Sequence, residues 1–246
     1  MSAHKPTIVL VHGAFADASS WNGVVGKLLA HDYPVIALAN PLRGLTTDAD
    51  YVRQVVTSVE GPVVLVGHSY GGSVISNAAK GLPEVTALVF VAAFLPEEGE
   101  SAVTLSGKFP GSTLGDTLRP VPVTLPDGRQ VMDLYIEQTK FHAQFAADVP
   151  EEITAVMAAT QRPVADAALA EGASAPAWRD IPSWVLVADG DRNIPPQVQT
   201  YMAERAGASV MKVSASHAVS VSRPGDVARL INEAAQATAG APEARA

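Results

Sequence analysis

The stretch that most constrains this chain runs over residues 61–82, GPVVLVGHSYGGSVISNAAKGL. Residues 63–66 form an unbroken apolar, largely β-branched run, the composition a strand needs when both of its faces are buried. Residues 73–79 carry small, helix-tolerant side chains without proline, and Gly81-Leu82-Pro83 reads as a helix stop. Between the two lies Gly67-His68-Ser69-Tyr70-Gly71, a G-x-S-x-G pentapeptide. Such a turn is sharp enough to strain the serine backbone and lift its Oγ clear of the sheet, with small flanking residues preventing collisions. The helix that follows points free N–H groups and its positive dipole end at the same spot, so an anion forming there is stabilised. In a chain with 19 glycines the string alone is a weak signal; the strand before it and the helix after it make it specific.

Further buried-strand patterns occur at residues 7–11, 35–39, 87–92, 184–188 and 210–213. Helices fit residues 21–30, capped by Ser19 or Ser20, and a segment from Thr46 or Thr47 to Val59 with Tyr51, Val52, Val55, Val56 and Val59 on one face. Two more fit residues 197–205 and 224–238. Strands separated by helix-length segments imply an α/β fold, with a mostly parallel sheet of about six strands and helices on both faces. Its functional crevice should lie beyond the carboxyl ends of the strands.

Residues 96–181 break the rhythm. No buried parallel strand is expected there, Pro126-Asp127-Gly128 signals a small hairpin, and helices fit residues 133–146 and 151–160. So long an insertion is too much for a bare loop. The expected organisation is therefore a core of residues 1–95 and 182–246 with a cap, or lid, over 96–181, and a frayed tail at 240–246.

A serine hydroxyl needs a base to take its proton and a third group to orient that base. His4 precedes the fold, His31 lies in a helix-to-strand loop, and His12 is placed to brace the loop after the first strand. His68 flanks the serine with its side chain expected to point away, and His142 belongs to the cap. His217 follows the last strand, on the edge of the sheet from which a loop reaches Ser69. Asp189 and Asp191 follow the fifth strand at the same edge, giving the chain order Ser…Asp…His. Asp191, further into its loop, is preferred. Oxyanion donors are expected from the backbone N–H of Tyr70 and of Ala14, with Phe15 as the alternative to Ala14.

Absence of cysteine excludes disulfides, thiolate zinc sites and a cysteine nucleophile, and no metal or other cofactor is expected. The net charge of −8 argues against nucleic acid or an anionic membrane as partner. Residues 1–13 lack the layout of a signal peptide, so a soluble cytoplasmic protein, monomer or homodimer, is the expectation.

His12-Gly13-Ala14-Phe15, Gly67-His68-Ser69-Tyr70-Gly71-Gly72, Asp191-Arg192-Asn193-Ile194-Pro195 and Ser216-His217 stand in the order found in the α/β-hydrolase superfamily, which the chain resembles over nearly its whole length. It is similar to the branch of plant methyl esterases and hydroxynitrile lyases with their bacterial serine-esterase relatives. The resemblance implies the α/β-hydrolase fold, Ser69 as nucleophile, Asp191 as acid, His217 as base, and Ala14 and Tyr70 as oxyanion donors. Lyases of that branch carry threonine and lysine where this chain has Gly13 and Ala218, which argues for ester hydrolysis. The expected reaction is hydrolysis of a small, neutral or hydrophobic carboxylic ester through an acyl-enzyme on Ser69. The alternatives are a lyase, lactonase, C–C hydrolase or perhydrolase on the same triad, or a ligand receptor that retains it. Phe15, Tyr70, Phe141, His142, Phe145 and Trp178 are expected to line the substrate pocket.

Overall fold

A computed structural model describes residues 5–174 and 176–239. His4 and the tail at 240–246 thus lie outside the described residues. In chain order the strands are β1 (Thr7–Val11), β2 (Val35–Leu38), β3 (Val63–His68), β4 (Val85–Val91), β5 (Leu118–Thr124), β6 (Gln130–Ile136), β7 (Val164–Ala165), β8 (Ser183–Ala188) and β9 (Ser209–Val213). The α-helices are α1 (Asn22–Leu29), α2 (Leu45–Thr57), α3 (Tyr70–Ala78), α4 (Ala102–Ser106), α5 (Gln138–Phe145), α6 (Glu151–Thr160), α7 (Asp166–Ala170), α8 (Pro196–Arg205), α9 (Val219–Ser222) and α10 (Pro224–Ala237).

Six strands form one parallel sheet in the order β2-β1-β3-β4-β8-β9. The apolar runs of the inner strands follow from burial on both faces: alternate residues feed two separate cores. Val9, Val11 and Leu65 pack with Leu45, Val52 and Val56 of α2, Val74 and Ile75 of α3 and Val198 and Met202 of α8. Ile8, Leu10, Val64 and Val66 pack on the opposite side with Val24 and Leu28 of α1 and Val227, Leu230 and Ile231 of α10. This is the α/β-hydrolase fold, with the expected six parallel strands.

The segment between β4 and β8 builds its own three-stranded antiparallel sheet, β5-β6-β7. Residues 133–136, read from the sequence as the start of a helix, instead complete β6. Asp133 pairs with Val121 on one side and Ala165 on the other, and this two-sided pairing outweighs local helix propensity. The segment is tied to the rest by long-range polar contacts. Glu171 accepts the N–H groups of Leu45 (2.6 Å) and Thr46 (3.2 Å), capping α2. Neither Thr46 nor Thr47 therefore caps that helix through its own side chain; a carboxylate remote in sequence does. Arg43 pairs with Asp133 at 2.7 Å. Neither Ser19 nor Ser20 caps α1, which has no side-chain cap; the short 3-10 turn Ala18–Trp21 leading into it is capped by Asp17, which accepts the Ser19 N–H.

Candidate active site

Ser69 sits between the last residue of β3 and the first of α3 at φ 55°, ψ −125°, a conformation that L-residues avoid. Three backbone hydrogen bonds hold it there: its N–H donates to Val91 O (3.3 Å), and its carbonyl accepts from Gly72 (3.0 Å) and Phe94 (3.1 Å). The turn also demands close approach to β1. A Cβ on Gly71 would stand 2.4 Å from Val11 O, and one on Gly13 would stand 2.6 Å from the Ser69 Cβ.

Asp191 and His217 are both buried, and His217 Nδ1 lies 2.7 Å from Asp191 Oδ2. The carboxylate is saturated with donors. Oδ1 accepts the N–H groups of Asn193 (2.7 Å) and Ile194 (3.0 Å), and Oδ2 also accepts Gln199 Nε2 (2.9 Å). Gln199 is fixed in turn, donating to Ile194 O and accepting the Ala188 N–H. Asp189, the other sequence candidate, is exposed.

The imidazole of His217 is clamped by aromatic rings. Phe145 meets it edge-on at 4.9 Å between centroids and His68 tilts against it at 4.7 Å. His68 therefore does not point away from the site, as its position in the turn suggested. Its Nε2 donates to the His217 carbonyl at 2.9 Å, and burial holds its pKa well below the usual histidine range, so the ring is neutral. With His217 Nδ1 on the carboxylate, its Nε2 is left buried and without a protein partner among the described residues; it makes no hydrogen bond to Ser69. A loose nucleophile–base contact is common where no substrate is bound.

His12 braces the exit of β1, with Nδ1–H on Gly13 O (2.9 Å) and Nε2 accepting the Asn40 N–H (3.0 Å). The N–H of Phe15 is consumed by Arg162 O (3.1 Å), which removes it from the candidate oxyanion donors. Tyr70 is anchored behind the site: its hydroxyl donates to the buried Asp48 carboxylate at 2.9 Å. Burial raises the pKa of Asp48 and, together with the neighbouring carboxylate, that of Tyr70.

Ala14, Phe15, Ser69 and Tyr70 border a cavity of about 410 Å³, walled by Val103, Leu114, Leu118, Leu134, Leu169 and Ile194. Of the side chains expected from the sequence to line the pocket, Phe15 and Tyr70 do so. Phe141, His142, Phe145 and Trp178 do not line it, Phe145 being packed instead against Phe141 and His217. Phe141 is fully buried and stacks on Phe145, His142 bonds Thr154 (3.1 Å), and Trp178 donates its indole N–H to Pro96 O (2.8 Å). Packing and internal hydrogen bonds consume these four side chains. Gln199 and the β5–β6 wall carry no motif, and nothing in the sequence indicates that His68 and Phe145 meet on the His217 ring.

A model of the alpha/beta hydrolase family matches residues 8–230. An alpha/beta hydrolase of Aspergillus novofumigatus, nvfD, is 28% identical over 94% of this chain and 97% of its own length. Methylesterase 2 of Arabidopsis thaliana is 33% identical over 44% of this chain and 47% of its own length, in keeping with the resemblance to plant methyl esterases. Among solved structures, polyneuridine aldehyde esterase superposes with a TM-score of 0.80 at 20% identity, covering 94% of this chain and 99% of that one, a likeness of fold. The match over most of the chain establishes that this protein belongs to the alpha/beta hydrolase family.

Proposed function

We propose that the protein is a serine hydrolase of small, neutral or hydrophobic carboxylic esters, with Ser69, His217 and Asp191 as its catalytic triad. One observation carries the reading: a buried imidazole has one nitrogen on a donor-saturated carboxylate and the other bare, on a ring packed against the neighbour of a strained serine. The family and the esterase names of relatives support it.

In this reading Ser69 Oγ attacks the ester carbonyl and its proton passes to His217 Nε2. Asp191 holds the tautomer and stabilises the imidazolium. The N–H groups of Ala14 and Tyr70 receive the oxyanion, Phe15 being engaged elsewhere. Collapse expels the alcohol, which takes the proton from Nε2; water then repeats the sequence on the acyl-enzyme and releases the acid. Residues 96–181 act as a cap that supplies the apolar wall, and that wall favours an uncharged substrate. Steady-state hydrolysis of p-nitrophenyl acetate by Ser69→Ala, His217→Ala and Asp191→Asn tests the assignment. Each variant is expected to lose about a thousandfold or more in kcat with its fold retained, and unchanged turnover in any of them contradicts its role.

A further inference from the structure

Asn193 is a buried polar residue in the wall of the cavity that Ser69 borders. Its backbone is committed: the N–H donates to Asp191 Oδ1 and the carbonyl accepts from Ser112 Oγ (2.9 Å). The orientation of its side-chain amide follows from chemistry. Gln144 places one terminal atom 3.0 Å from the Arg192 carbonyl oxygen, which can only accept, so that atom is the Gln144 nitrogen. The same nitrogen lies 2.8 Å from the Asn193 side chain, so the atom facing it there is Oδ1. Thr113 Oγ1, donating to Gln144 Oε1 at 2.8 Å, locks the arrangement from its other end. Asn193 Nδ2 is thereby turned away from Gln144. No acceptor among the described residues takes its N–H groups, and protein does not seal it off.

Once a bound substrate excludes water from this wall, an amide donor there is costly unless the substrate offers it an acceptor. The lining contains no lysine, arginine or histidine, and Asp166 lies among its residues, so an anionic acceptor is disfavoured. We infer that Asn193 is a specificity-determining residue whose Nδ2 binds a second, neutral oxygen acceptor on the substrate, outside the reacting carbonyl. The substrate class is then an ester with a hydrophobic frame and one further ether, keto or hydroxyl oxygen. This inference rests on the esterase reading of Ser69 and narrows it.

The test compares methyl octanoate and octyl acetate with isomers in which an ether oxygen replaces one methylene, stepped along the chain beyond the carbons next to the ester. The enzyme is expected to favour one isomer over its parent by about tenfold in kcat/KM, the scale of one neutral hydrogen bond. Asn193→Leu should abolish that ratio. Asn193→Asp keeps the acceptor for Gln144 but lacks the donor, so it should abolish the ratio too, and it serves alone should the leucine variant not fold. Intrinsic reactivity cancels, because each ratio is compared between enzymes on the same pair of esters. A wild-type enzyme that hydrolyses the parents with no preference for any isomer, or a preference that survives Asn193→Asp, overturns the inference. Failure to hydrolyse any ester strikes the esterase reading instead.

Discussion

His68 Nε2 donates to the backbone carbonyl of His217 at 2.9 Å, joining the residue before the strained serine to the histidine on the far side of the sheet edge. The two rings also touch, 4.7 Å between centroids, so the turn after β3 and the loop after β9 are locked together. Burial holds the pKa of His68 well below the usual histidine range, so its ring is neutral. Its replacement by alanine removes the donor and leaves a void beside Trp21, Phe145 and His217. We expect a loss of about 2–4 kcal/mol in urea unfolding, together with a fall in kcat as the imidazole loses its brace.

Glycine at position 13 is required by contact. A Cβ there would lie 2.6 Å from the Ser69 Cβ and 2.8 Å from the His68 carbonyl oxygen. Gly13→Ala should therefore displace the turn that carries the hydroxyl. Because small misplacements in such sites cost about a hundredfold in rate, we expect at least that loss in kcat/KM, measured beside a thermal melt to separate misplacement from unfolding.

Glu171 caps α2 from the segment between β4 and β8. Alanine at this position orphans two helix N–H groups and removes an anion from the positive end of the dipole. The expected cost is about 1–2 kcal/mol, seen as a fall in Tm of about 2–8 °C for a chain of this size.

Buried Asp48 predicts a pH signature. Its folded pKa is raised by desolvation, so the native state holds the proton more tightly than the unfolded chain. The stability that this supplies is present below the ordinary carboxylate value and is lost as pH rises through the raised folded value. Asp48→Asn cannot ionise. Its stability relative to the wild type should increase with pH across that window in urea unfolding; a difference that stays flat would show that Asp48 ionises freely in the folded protein.

The sheet was legible because residues such as Val63–Val66 admit only one environment: apolar runs buried on both faces have no competing use. Ser69, Asp191 and His217 were placed by the ends of those strands, since loops at the carboxyl edge must converge there. The cavity wall was not legible. The chemical character of Phe141, His142, Phe145 and Trp178 points to substrate contact, yet stacking and hydrogen bonds within the fold engage all four. Leu118 and Leu134, which do line the cavity, depend on the pairing of β5 with β6, and that partnership is invisible to local propensity. Gln199 was missed for the same reason: its contact with Asp191 exists only once α8 packs beside β8.

Reaction with a serine-directed phosphonate, read by intact-mass and peptide mass spectrometry, tests the central assignment most directly. One adduct on Ser69, formed at a rate that collapses in His217→Ala and absent in Ser69→Ala, is the predicted result. An adduct on another residue, or labelling of Ser69 as fast without the imidazole as with it, would contradict the triad.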